Sequence, residues 1–184
     1  MSEFVDRLAA RANEEGLLDV AYATVDMPLG TGLVATTPKG LVRLALPNEE
    51  IDNVLARLAR DVSPRVLEFP GRVDEARREL DEYFEGRRSR FELPLDWRLS
   101  HPGFYRRVLR ATARVPFGDV ITYAEAAQRA GNSRAFRAAG TALGSNPIPI
   151  VVPCHRVIRA GGEIGNYGGG PEMKRFLLEL EGAV

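Results

Sequence analysis

The chain has 184 residues, 45% of them apolar, with 25 basic and 25 acidic side chains, which suffices for a packed core and is too apolar and too balanced for a disordered chain. Its single cysteine excludes a disulfide framework, and with only two histidines beside it too few soft ligands remain for a structural zinc site, so neither metal nor cofactor is expected. No apolar run approaches the roughly 18 residues of a membrane span, and residues 1–19 carry charges throughout in place of a secretory hydrophobic stretch, which predicts a cytoplasmic protein without a membrane partner.

A charged, helical lead opens the chain. Alternation in Ala21–Val25, a turn at Pro28-Leu29-Gly30 and a second apolar run at Gly32–Thr37 read as a hairpin. Lys39-Gly40 supplies another turn before Leu41–Leu46, so three antiparallel strands are expected. Ile51, Val54, Leu55 and Leu58 stand at helical spacing, as do Ala76, Leu80 and Phe84, and these two helices would cover the sheet. The charged stretch from Glu85 to Ser100, with Gly86 and Pro94, has little periodicity. It predicts a division into an N-terminal α/β domain over 1–90 including its leader, a linker over 91–100, and a C-terminal domain over 101–184.

That division is also one of charge. Residues 1–100 hold 14 basic and 19 acidic side chains and residues 101–184 hold 11 and 6, and all basic residues but Lys39 and Lys174 are arginine. A modestly basic C-terminal half can meet phosphates, although an arginine bias is equally compatible with composition alone.

In that half, Phe104, Val108, Leu109 and Thr112 form one face of a helix ending before Pro116. Thr122 with Glu125 three residues on is a capping box, placing Tyr123 at the first helical position, and Gly131-Asn132 ends the helix. A third helix, over 133–143, begins almost at once, so the pair has helix-turn-helix spacing. Ala135, Ala138, Ala139, Gly140 and Ala142 make this helix narrow, and Arg134 and Arg137 lie near one another on its surface. Such a helix can approach a groove closely; it can equally pack against a neighbour with its arginines in solvent.

Ten residues beyond Gly144 lies Cys154, in Pro147-Ile148-Pro149-Ile150-Val151-Val152-Pro153-Cys154-His155-Arg156. Prolines 147, 149 and 153 restrict the backbone and favour extended geometry before each, and none can donate in a central strand. A thiol beside an imidazole and a guanidinium reads as a nucleophile whose anion a cation stabilises; the alternative is a buried structural cysteine. The glycine-rich 161–170 lacks a dinucleotide fingerprint and a phosphate loop, so it reads as a pocket rim carrying Tyr167 or as a plain loop.

Pro153-Cys154-His155-Arg156-Val157 resembles the active-site motif of the methylated-DNA–protein-cysteine methyltransferases, the O6-alkylguanine-DNA alkyltransferases of the Ogt type. The resemblance extends through Val115-Pro116-Phe117-Gly118, Ile121-Thr122-Tyr123, Gly131-Asn132, Arg134-Ala135, Asn146-Pro147, Gly165-Asn166-Tyr167 and Lys174 to Glu181, and more loosely to Pro28-Leu29-Gly30, Lys39-Gly40 and Tyr83-Phe84-Glu85-Gly86-Arg87.

It implies an α+β fold: a ribonuclease H-like N-terminal domain with a three-stranded antiparallel sheet and helices, then a mostly helical domain with a helix-turn-helix. It implies irreversible, single-turnover transfer of the alkyl group of O6-alkylguanine, and of O4-alkylthymine, in double-stranded DNA to Cys154. His155 would deprotonate the thiol through a bridging water, Glu181 would orient His155, Asn146 would brace the turn before the active-site segment, and Tyr123 would donate to the leaving guanine and press on the adjacent phosphate. Arg137 would enter the stack vacated by a flipped nucleotide, with Arg134, Ala135, Ala138 and Gly140 on the same minor-groove surface. Pro149, Val157, Tyr167, Gly168 and Gly169 would form the substrate pocket. Gly168 stands where animal relatives have serine, and the small loop 159–162 favours alkyl groups larger than methyl. The N-terminal half lacks the cysteines and histidines that hold zinc in some animal relatives. A monomer is expected, with cooperative loading on DNA left open. The alternatives are a noncatalytic binder of alkylated DNA, which the retained Cys154 disfavours, and a cysteine-histidine hydrolase.

Overall fold

A computed structural model of the chain describes residues 2–184, with side chains described from Arg7 onward. Residues 1–82 and 92–99 form one compact unit, and residues 83–91 and 100–184 form a second.

The first unit holds helix α1 (Ser2–Glu14), strands β1 (Val20–Met27), β2 (Gly30–Thr37) and β3 (Gly40–Ala45), helix α2 (Ile51–Asp61), the short strand β4 (Val66–Glu68) and most of α3 (Asp74–Phe84). The sheet order is β3-β2-β1-β4. The three antiparallel strands are those expected, and a fourth, β4, adds to β1 in parallel through Val20, Ala21 and Tyr22. Both hairpins turn on the same pattern: Met27 pairs with Gly30 and Thr37 with Gly40, so Pro28 and Pro38 set φ at the first loop position and a glycine resumes the ladder. Gly40 is required there, because at φ 123° a Cβ would sit 2.1 Å from the Pro94 carbonyl oxygen. Val54 and Leu58, one turn apart on α2, pack on Val20, Leu33, Ala35 and Val42 of the sheet. This burial removes apolar surface from both elements.

Residues 92–99, which the sequence suggests as part of a linker, are hydrogen-bonded to β3. Leu41 N–H donates to Pro94 O and Asp96 N–H to Leu41 O, both at 2.8 Å, and the Thr37 hydroxyl donates to Asp96 at 2.7 Å. Period alone could not show this, since a single bridge strand leaves no alternation to read.

In the second unit, α4 (Phe104–Thr112), α5 (Tyr123–Arg129) and α6 (Phe136–Gly144) pack on one another, burying Val108, Leu109, Ala126, Ala127, Ala139 and Ala142. Short side chains on α5 and α6 allow close approach. The capping box at Thr122 and Glu125 is formed in full. α5 ends in a Schellman arrangement: Asn132 N–H donates to Ala127 O and Gly131 N–H to Gln128 O, with Gly131 at φ 90°. The third helix starts at Phe136 rather than at 133, because the Asn132 side chain accepts from Arg134 N–H and holds that segment in a turn. A parallel pair, β5 (Ile121–Thr122) and β6 (Val157–Ile158), places the residue after Cys154-His155-Arg156 beside the start of α5. Helix α7 (Gly170–Leu180) buries Met173, Lys174, Leu177 and Leu178 and delivers Glu181 at its C-terminal cap.

Candidate active site

Two tight turns bring the chain to Cys154, in place of the extended run its prolines favour. Val151 N–H donates to Pro149 O across Ile150 at φ 71°, the γ-turn of positive φ, which is rare and strained for a β-branched residue. Cys154 N–H then donates to Val152 O across Pro153 at φ −80° and ψ 65°, the inverse γ-turn that proline accommodates. Cys154 opens a single 3₁₀ turn that ends at Arg156.

Asn146 holds this loop from inside. Its side-chain amide donates to Val152 O at 2.8 Å and to Cys154 Sγ at 3.2 Å, while its Oδ1 accepts from Ile148 N–H at 3.0 Å. One residue thus braces the backbone and touches the sulfur.

His155 and Arg156 both turn to Glu181. His155 Nε2 lies 2.9 Å from Glu181 Oε1, Arg156 Nε donates to Oε2 at 2.8 Å and Arg156 Nη2 to Oε1 at 2.9 Å. Arg156 also donates to Val115 O at 2.5 Å, and its guanidinium lies over the Phe117 ring. A third donor, which the sequence marks only as the start of a loosely resembling string, is the Tyr83 hydroxyl, 2.6 Å from Glu181 Oε1, its ring buried against Phe84, Phe91 and Phe117. Burial alone would raise the Glu181 carboxyl, but hydrogen bonds from His155, Arg156 and Tyr83 with the charges around it bring it down to about 2. Glu181 is therefore ionised and accepts only, so Nε2 carries the imidazole proton. Nδ1 is left as the free lone pair, and it is buried without a hydrogen-bond partner, as is the Tyr167 hydroxyl.

The electrostatics differ from the cation-stabilised thiolate expected from sequence. Arg156 is committed to Glu181, and burial pushes the Cys154 thiol up, offset in part by the Asn146 hydrogen bond and the charge of Lys174. Burial pushes His155 down against the pull of Glu181. Thiol and imidazole are thus both neutral near pH 7. The cation that does act on Cys154 is Lys174, fully buried on α7, donating to Val157 O at 2.6 Å and brought by burial to about 8. The sequence marks Lys174 only as the start of a resembling string.

Cys154 opens on a cavity of about 730 Å³ lined by Tyr123, Phe136, Arg137, Gly140, Leu143, Arg159, Tyr167 and Gly168 among others, within the usual range for a small-molecule site. Tyr123 holds the first position of α5. Gly165 passes beside it at φ 73°, where a Cβ would come within 3.3 Å of the Tyr123 hydroxyl. The Tyr167 ring meets the His155 ring edge-on at 6.3 Å. Among the sequence-derived positions, Cys154, Tyr123, Arg137, Gly140, Tyr167 and Gly168 share this cavity. Asn146, His155 and Glu181 lie behind it. Pro149, Val157 and Gly169 are outside its lining: Pro149 and Val157 are buried in the loop and β6, and Gly169 caps α7. Arg134 is exposed, and Ala135 and Ala138 are half-buried, at the start of α6.

Fold and site define a protein with a buried free cysteine, near an imidazole–carboxylate pair, opening on a cavity beside the second helix of a helix-turn-helix. The family model described as the 6-O-methylguanine DNA methyltransferase DNA binding domain matches residues 103–183, and that of the ribonuclease-like domain of the same family matches residues 20–97. The methylated-DNA–protein-cysteine methyltransferase of Mycolicibacterium paratuberculosis is 40% identical over 162 residues, 88% of this chain and 92% of that protein. That of Mus musculus is 38% identical, over 88% and 81%. The crystal structure of Mycobacterium tuberculosis O6-methylguanine methyltransferase superposes with a TM-score of 0.75 at 37% identity, over 89% of this chain and 93% of that one; a structure of the M. tuberculosis protein in complex with DNA superposes with the same score, over 88% and 92%. This chain belongs to the methylated-DNA–protein-cysteine methyltransferase family.

Proposed function

We propose that the protein repairs DNA by direct reversal, moving the alkyl group from O6 of an alkylated guanine in double-stranded DNA to the sulfur of Cys154, once per molecule. The observation that carries this is Cys154 itself: a thiol opening on a cavity beside α6, with an ionised Glu181 fixing the His155 tautomer so that Nδ1 is the free base. Family membership supplies the substrate class.

In the reaction, the thiol proton passes through a bridging water to His155 Nδ1, and the imidazolium is stabilised by Glu181. The sulfur lone pair forms the S–C bond as the C–O6 bond breaks, and its electrons pass to the guanine ring. There the Tyr123 hydroxyl and backbone amides offset the charge until N1 takes a proton from solvent, to which His155 returns the thiol proton. Because both partners begin neutral, charge develops during transfer, where Lys174 and the Asn146 amide meet it. The S–C bond of a thioether has no hydrolytic exit, so the product is inert.

The reacting carbon is out of reach inside a duplex, so the nucleotide is extruded into the cavity. The short side chains of α6 suit the minor groove, where readout is degenerate, with Arg134, Ala135, Ala138 and Gly140 at the groove and Arg137 in the vacated stack. The cavity has room for alkyl groups larger than methyl and for O4-alkylthymine. A nucleophilic cysteine with no second cysteine to pair with fits a reducing compartment such as the cytoplasm, and the protein acts there as a monomer.

Intact-protein mass after mixing with an oligonucleotide carrying O6-methylguanine tests the reading. One added methyl, roughly 14 Da, on Cys154 and a halt at one equivalent are expected of a consumed nucleophile. Continued turnover would indicate a regenerating hydrolase, and specific binding without an adduct a noncatalytic reader of damage.

A further inference from the structure

Among the described residues, Phe136 is the one large aromatic side chain left exposed, at 47%. A single exposed apolar residue is ordinary; its surroundings are what distinguish this one. Phe136 is the first residue of α6, and it lines the same cavity as Cys154. Along the helix, Gly140, Thr141, Leu143 and Gly144 continue the cavity-lining strip, so the aromatic ring stands at its start. The Arg137 guanidinium lies over the ring, 5.5 Å from its centroid, a cation–π contact that holds the two side chains together.

We propose that Phe136 is a stacking wedge for duplex DNA, its ring entering the base stack beside the extruded nucleotide while Arg137 fills the space that nucleotide leaves. The inference rests on the DNA-repair reading above and adds to it a contact to the neighbouring base. Apolar side chains placed in the minor groove part base steps in this way. An aromatic face stacks on any base, which suits a protein that meets its lesion in every sequence context. The pairing also divides the work: Phe136 supplies stacking surface without hydrogen-bond readout, and Arg137 supplies donors to the orphaned partner.

The test compares single-turnover methyl transfer from the same O6-methylguanine oligonucleotide as duplex and as single strand, with 2-aminopurine beside the lesion reporting unstacking. Phe136→Ala is expected to slow the duplex reaction at least about fivefold more than the single-stranded one and to dim the 2-aminopurine signal, while Phe136→Trp stays within about twofold of wild type. An Ala variant as fast as wild type on duplex overturns the wedge and leaves alkyl transfer standing. Equal slowing on both forms also overturns it, because the ring would then act inside the cavity. A wild-type protein that takes no methyl from either form overturns the wedge together with the repair reading.

Discussion

The Tyr83 hydroxyl and His155 Nε2 meet on one oxygen, Oε1 of Glu181, at 2.6 and 2.9 Å. Tyr83 thereby draws on negative charge that would otherwise act on the imidazole and on Arg156. It is a positioning residue: it touches neither sulfur nor cavity, and acts through the carboxylate.

Tyr83→Phe removes that donor and leaves the ring packing intact. The loss of a hydrogen bond to a charged group costs about 1.5–3 kcal/mol of stability. With more charge left for His155, the imidazole pKa rises, so the acid limb of the transfer rate moves to higher pH. A pH–rate profile checks this; a purely structural role would lower stability and leave the limb in place.

Stability should fall as solutions are acidified, for a stated reason. His155 and Glu181 both titrate lower in the folded protein than their ordinary values of 6.5 and 4.5, Glu181 near 2. The unfolded chain binds protons first as pH falls. Stability held by the pair is complete above about pH 6.5 and is lost progressively toward pH 2. Urea denaturation at pH 7, 5 and 3 reads this directly. Glu181→Gln, which leaves Arg156 buried without its counter-charge, should cost about 3–5 kcal/mol at pH 7 and remove the part of the loss that falls below about pH 4.5, while the part due to His155 remains.

Asn146→Ala strips the partner from Ile148 N–H, leaves Val152 O with the Cys154 N–H alone, and removes the donor on Cys154 Sγ. A loss of about 1–3 kcal/mol is expected from the unsatisfied Ile148 N–H. The thiol, deprived of a donor that lowers its pKa, should ionise at still higher pH, which alkylation by iodoacetamide across pH 7–10 measures.

Arg137→Ala should slow repair of duplex DNA by about tenfold or more, since the vacated stack is left unfilled, while transfer from free O6-benzylguanine falls much less. Paired rate measurements on the two substrates separate loss of extrusion from loss of chemistry. Equal losses would place Arg137 in the chemical step instead.

Local chemistry makes part of this molecule legible in the sequence. The Thr122–Glu125 capping box and the Gly131 stop depend on residues within a few positions, and glycine marks both hairpin turns. β4 is hidden because the few residues between Pro64 and Pro70 leave no alternation to read, and its partner β1 runs parallel and far away in sequence. Cys154 and the adjacent His155 stand out through composition and neighbouring prolines. The roles of Arg156 and Tyr83 do not. Adjacency suggests that Arg156 serves Cys154, whereas the tight turn aims it at Glu181, and nothing in the spacing links Tyr83 to a carboxylate 98 residues on. Long-range polar contacts of this kind are fixed by packing of whole elements, which a single sequence does not display.

The most direct measurement is the single-turnover loss of methyl from O6-methylguanine duplex by wild type and Cys154→Ser, followed together with protein mass. The wild type should restore guanine and gain one methyl at Cys154, and the serine variant should do neither while still binding the duplex. Restoration of guanine by Cys154→Ser at the wild-type rate would contradict the account.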